Sequence, residues 1–151
     1  MELLVKKVDS GAEYNGAVFD YWMIAQLKSG IQIIIFDYDC YNLKNFIEKK
    51  IECLILAYLI RLIETDEEFK QYKRLNLFPS ITEIITGNYI GKYLVPPKWK
   101  KYCMKHSPAL ETKDGIFLLE SSDLLNYSFE EKEEITIHVK RFDLLDWLPI
   151  E

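Results

Sequence analysis

Residues 84–110 combine basic and aromatic side chains in a pattern that suits ligand binding. This stretch contains five lysines, and all 24 acidic residues of the chain lie elsewhere. Lysines interleaved with aromatic rings are typical of surfaces that bind single-stranded nucleic acid. We call residues 89–105 the basic aromatic segment. Its candidate binding residues are Tyr93, Lys98, Trp99, Lys100, Lys101, Tyr102 and Lys105.

The same segment also fits a purely structural role. From Trp99 to His106, apolar and aromatic residues recur at helical spacing, and lysines occupy the opposite face. This spacing predicts a short amphipathic helix over 97–106, with its rings in the core and its lysines in water. Core packing, an anion- or nucleic-acid-binding patch, and a protein-docking surface are the three alternatives for this segment.

The chain lacks a recognisable set of metal ligands. Its two histidines, His106 and His138, have no Cys, His or paired acids at the spacing of a zinc site. The Asp-Tyr-Asp sequence at 37–39 resembles the start of a calcium loop, and Glu48 stands at the twelfth position. The sixth position, where such a loop needs Gly, is Asn42. We therefore predict no metal site.

Motifs of nucleotide binding and nucleophilic catalysis are also missing. The sequence contains no GxGxxG, no GxxxxGK[ST] and no GxSxG pattern. Carboxylate pairs such as Asp143 and Asp146 are expected to be solvated surface acids. We predict that the protein has no catalytic residues and no cofactor, and that it is not an enzyme.

Composition favours one globular domain over residues 1–151. Hydrophobic residues make up 49% of the chain and the net charge is −5, which weakly disfavours a nucleic-acid binder. The longest apolar run, Cys53 to Ile60, is too short to cross a bilayer. The three cysteines have no CxxC spacing, and the first residues do not resemble a signal peptide. These features predict a cytoplasmic protein without a membrane partner.

Turn signals between apolar runs predict a mainly β fold. Asn15-Gly16, Ser29-Gly30 and Asp114-Gly115 suit hairpin turns, which need positive φ. The runs between them predict strands at 2–9, 17–27, 31–36, 89–95 and 134–141, a hairpin of 109–112 with 116–120, and a short helix at 81–86. We expect an antiparallel meander that closes as a small OB-like barrel. Its predicted buried residues are Ile33, Ile35, Cys53, Ile55, Ile137 and Val139.

Residues 43–64 allow two predictions. The favoured one is a short turn at 43–48 followed by a long strand at 50–63, which continues the meander. The alternative is a helix at about 43–64, which would make the fold α+β. The apolar run is so continuous that periodicity alone does not separate a buried strand from a buried helix.

The functional expectation is a small binding or interaction module without a catalytic motif. OB-like barrels bind oligonucleotides, oligosaccharides or proteins on one face. A protein partner is favoured, and one alternative is an acidic interaction or inhibitor protein of the immunity type. The other alternative is a single-stranded nucleic-acid binder that uses the basic aromatic segment. The sequence does not define the oligomeric state.

Overall fold

The computed structural model describes residues 1–75 and 81–150. Most of them are in strands, so the mainly β fold is confirmed. The described helical elements are one α-helix, α1 (Asp66–Leu75), and two 3₁₀ turns, Leu43–Phe46 and Ser121–Leu124; no described helix is long and apolar enough to cross a membrane. The strands are β1 (Glu2–Ser10), β2 (Glu13–Tyr14), β3 (Ala17–Val18), β4 (Tyr21–Leu27), β5 (Gln32–Asp37), β6 (Lys50–Leu62), β7 (Ile84–Leu94), β8 (His106–Thr112), β9 (Gly115–Leu119) and β10 (Glu134–Pro149).

Five of these strands close into a ring, which we call the first ring. Its order is β1–β4–β5–β10–β6, and β6 pairs back with β1. All neighbours in the first ring are antiparallel except β5 and β10, which run parallel. The 3₁₀ turn Leu43–Phe46 lies between β5 and β6. Five strands in a closed Greek-key order give the OB-like arrangement that the sequence predicts.

The other three long strands form a second ring with β6 and β10. Strand β7 pairs with β10, β8 lies between β7 and β9, and β9 runs parallel to β6. The two rings therefore share the long β6–β10 ribbon. Gly87 stands where β7 approaches β8, because a Cβ atom there would collide with the backbone oxygen of Glu111.

Two apolar clusters hold the rings together. The larger cluster draws on every strand of the first ring and reaches Leu110 and Phe117 in the second. The smaller cluster contains Leu54 and Trp99 and lies on the other face of β6. All six residues predicted to be buried belong to the larger cluster and are at most 1% exposed: Ile33, Ile35, Cys53, Ile55, Ile137 and Val139.

The strand prediction for residues 50–63 is confirmed, and the alternative helix at about 43–64 is wrong. Strand β6 alternates between the two clusters, so that Cys53 and Ile55 face one core while Leu54 faces the other. Burial on both faces explains why the sequence shows no clean alternation. The helical spacing over 43–64 arises from this double burial.

Two further expectations need correction. The helix at 81–86 is wrong: β7 begins at Ile84, and Ile81 forms a bridge with Gln32 of β5. Pro79 and Ser80, on which the predicted helix cap depends, lie outside the described residues. The sheet is also more than a meander, because the β5–β10 and β6–β9 pairs are parallel.

Candidate functional site

The first part of the basic aromatic segment belongs to β7, and the rest, from Val95 to Lys105, forms consecutive turns between β7 and β8. The helix predicted over 97–106 is wrong. The N–H of Trp99 donates to the oxygen of Pro96 at 3.1 Å, and the N–H of Tyr102 donates to the oxygen of Trp99 at 2.9 Å. Met104 then adopts a left-handed φ of 62°. These three-residue steps turn the chain tightly, so that Trp99 reaches the smaller cluster.

Within this segment the rings and the lysines face different surroundings. Trp99 is only 2% exposed and is part of the smaller cluster, so its ring is closed to a ligand. Tyr93 and Tyr102 are half-buried against the same cluster. The packing of these rings matches the structural alternative more closely than a platform for stacking bases.

The lysines of the segment stay at the surface. Lys98 pairs with Glu52, and Lys101 and Lys105 lie 5.6 Å and 5.9 Å from the centre of the Tyr102 ring. Lys100 is exposed as well. The structure thus gathers positive charge here, but the Tyr102 ring beside that charge is half-buried against the smaller cluster.

A different group of aromatic side chains lies on the outer surface of the first ring. We call it the aromatic face and define it by Trp22, Phe36, Tyr38, Tyr58 and Arg141. The Trp22 and Phe36 ring centres are 4.7 Å apart, and those of Phe36 and Tyr38 are 6.1 Å apart. Trp22 is 40% exposed and Tyr38 72% exposed, whereas Phe36 is buried beneath them. The result is a row of rings with two members open to solvent.

Pairing between neighbouring strands places these rings. Trp22 of β4 lies directly opposite Phe36 of β5, and Tyr58 of β6 lies opposite Arg141 of β10. The Arg141 guanidinium sits 5.1 Å from the Phe36 ring centre and 4.6 Å from that of Tyr58. It also donates to both carboxylate oxygens of Asp143, at 2.7 Å and 3.1 Å. Arg141 therefore links rings from two strands in a fixed orientation.

A short two-stranded arm projects from the first ring beside this face. Strands β2 and β3 continue the β1–β4 hairpin, and the turn at its tip has positive φ at Asn15 and Gly16. Tyr14 and Phe19 of the arm are strongly exposed. The N–H of Ala12 donates to the carboxylate of Asp20 at 2.7 Å, which fixes the base of the arm.

Acids outnumber bases at this end of the first ring, where Lys44 lies 5.3 Å from the centre of the Tyr21 ring. From Val8 to Leu43 the only basic residue is Lys28. It lies in the β4–β5 turn, at the end of β4 that is far from the arm. Exposed aromatic rings bordered by acids would be attractive to a positively charged partner. The acidic residues of this stretch are Asp9, Glu13, Asp20, Asp37 and Asp39.

Asp37 fixes the turn that carries Tyr38. Its side chain is buried and accepts hydrogen bonds from the N–H groups of Tyr41, at 3.1 Å, and Asn42, at 2.9 Å. Burial raises the pKa of the Asp37 carboxyl above its ordinary value, and these two bonds oppose that rise. Asp37 thus fixes the position of Tyr38 at one end of the aromatic face.

The raised pKa of Asp37 predicts a pH effect on stability. The folded protein protonates Asp37 at a higher pH than the unfolded chain does, so the stability contributed by this group falls as pH rises through its folded-state pKa. We expect the free energy of unfolding of the wild type, relative to Asp37→Asn, to be greater at about pH 3 than at about pH 7. Urea denaturation of both proteins at the two pH values measures this. An unchanged difference would contradict it.

Neither a search for metal ligands among the described residues nor a comparison with known proteins adds a further candidate site. Within residues 1–75 and 81–150, no group of three His, Cys, Asp or Glu side chains is arranged to hold a metal ion. Comparison of the chain with protein-family models, curated proteins and solved structures finds no match.

Sequence reasoning missed the aromatic face. Its members come from four strands and the turn after β5, and Phe36 and Arg141 are more than a hundred positions apart. One signal was present in the sequence: Trp22 and Tyr38 lie in or next to strands in which the alternate positions are aliphatic, so large rings there point away from the core.

Proposed function

We propose that this protein is a non-catalytic binding module that holds a protein partner on the aromatic face. The observation that carries the proposal is the row formed by Trp22, Phe36 and Tyr38 on the outer surface of an OB-like ring. Tryptophan, tyrosine and arginine are the residues that most often dominate binding energy in protein interfaces. The face of the first ring is also the surface on which OB-like folds bind their ligands.

The charge around the aromatic face supports a basic partner. Glu13 and Asp39 are exposed, and Arg141 is already paired with Asp143. An acidic rim of this kind steers a positively charged surface toward the rings. The acidic interaction or inhibitor role is the same proposal with a basic enzyme or toxin as the partner.

A charge-reversal experiment tests this proposal. We expect Glu13→Lys/Asp39→Lys to slow association with the partner that the wild-type protein captures, by about tenfold at low salt, and to reduce the dependence of the rate on salt. The matched control is Glu111→Lys/Glu134→Lys, which reverses two exposed acids of the second ring. Surface plasmon resonance measures the rates. Equal effects of the two double variants would contradict the proposal.

Binding of nucleic acid would move the proposed binding surface from the aromatic face to the basic aromatic segment. Salt-sensitive retention on single-stranded DNA, lost in Lys98→Glu/Lys101→Glu, would favour the basic aromatic segment as the binding surface. The burial of Trp99 argues against that result.

A further inference from the structure

A separate cleft lies where the shared β6–β10 ribbon meets helix α1. Its volume is about 580 Å³, which is within the range of small-molecule sites. Leu59 and Tyr72 form apolar parts of its wall, and Arg61, His138 and Lys140 line it as well. None of these residues belongs to the aromatic face.

The ribbon places basic side chains on one wall of the cleft. His138 of β10 lies directly opposite Arg61 of β6, and Lys140 follows two positions later on the same strand. In a strand, residues two apart share a face. Neither Arg61 nor Lys140 forms an ion pair with a carboxylate in the part of the chain that the structure describes.

The acids of the cleft, in contrast, already have partners. Glu83 lies 2.8 Å from Nε2 of His138, and the carboxylate of Asp123 accepts from the N–H of Ile60 at 3.3 Å. The Tyr72 ring stacks on His138 at 4.2 Å with a 9° angle between the planes. Glu83 and Tyr72 therefore hold the imidazole in place, and the N–H of Ile60 holds the Asp123 carboxylate, which leaves the charged donor groups of Arg61 and Lys140 available to a ligand.

The backbone of the cleft wall is strained at one residue. Leu59 has a φ of 56°, in the left-handed region that a branched side chain rarely occupies. It lies in β6 between Tyr58 and Ile60, which pair with Arg141 and Val139 of β10, and its side chain is 43% exposed. Such strain is concentrated at ligand sites, because there it serves to shape the surface.

We propose that this cleft binds a small phosphorylated metabolite of nucleotide size. Arg61 and Lys140 provide charged donors for the phosphate, since guanidinium and ammonium groups are its usual partners. Leu59 and Tyr72 provide an apolar wall for the remainder of the molecule. The cleft is independent of the proposed protein-binding face.

Titration with adenosine monophosphate tests this inference directly. We expect the ring signals of His138 in the NMR spectrum to shift and to saturate on addition of the nucleotide. Uncharged adenosine should bind about tenfold more weakly or worse, because it lacks the group that Arg61 and Lys140 contact. Absence of a shift at millimolar nucleotide, or equal affinity for adenosine, would overturn the inference.

Variants locate the binding site. Arg61→Gln/Lys140→Gln should weaken binding of adenosine monophosphate by about tenfold or more. The control Lys28→Gln/Lys113→Gln removes two exposed charges from the β4–β5 and β8–β9 turns, away from the cleft, and should leave affinity unchanged. Equal loss in both would show nonspecific attraction and overturn the site. A single-stranded RNA that binds more tightly than the mononucleotide, and loses affinity in the same cleft variant, would overturn the assignment to a small metabolite.

Discussion

Replacement of Ile35 by Ala lowers the free energy of unfolding by about 2–5 kcal/mol. Ile35 is fully buried in β5, where it lies between Met23 of β4 and Phe142 of β10. Its side chain fills the first ring beside the parallel pair that closes it. The flanking strands are fixed by pairing on both sides, so they collapse little into the cavity. Urea denaturation followed by tryptophan fluorescence measures the loss.

An exposed isoleucine provides the control for this experiment. Ile47 is 41% exposed and follows the 3₁₀ turn Leu43–Phe46. Ile47→Ala should cost no more than about 0.5 kcal/mol, as is usual for surface positions. If Ile35→Ala costs as little as Ile47→Ala, β5 does not occupy the centre of the first ring.

Sequence patterns predicted most of the strands because local chemistry determines them. Positive φ at Gly30 and Gly115 confirms the turns that those glycines indicate. The alternation of Ile135, Ile137 and Val139 with polar residues identifies the first half of β10. Its second half escaped the pattern, because the buried positions change phase between Val139 and Phe142 and the pairing with β6 shifts again between Leu144 and Asp146.

Long-range arrangement was harder to predict. The helix expected over 97–106 had the right spacing, but burial of Trp99 in the smaller cluster outweighed the weak helical preference of a short segment. The second ring was not foreseen either, because pairing of β9 with β6 joins residues about sixty positions apart. The spacing of residues along the chain does not predict such long-range pairing.

The same limit applies to the candidate sites. The basic aromatic segment is continuous in sequence and was therefore easy to find. The aromatic face needs β4, β5, β6 and β10 to assemble before its rings meet. A composite surface of this kind follows from topology, which the sequence specified only in outline.

Trp22→Ala should produce the largest loss of partner binding. Trp22 is exposed at one end of the row of rings and rests on Phe36, which keeps its ring in one orientation. A rigid ring loses little entropy on binding and buries a large apolar area. We expect a loss of about 2–4 kcal/mol, or about 30- to 1,000-fold in Kd, measured by isothermal titration with the captured partner.

Tyr127→Ala is the matched control for Trp22→Ala. Tyr127 is exposed to a similar degree, but it stacks on Phe129, next to Tyr89 of the second ring. Its removal should change Kd by less than about threefold. Trp22→Phe keeps an aromatic ring on Phe36 and should recover part of the affinity, which a general loss of folding would not allow. Wild-type affinity in Trp22→Ala, or equal losses in Trp22→Ala and Tyr127→Ala, would place the partner on a different surface.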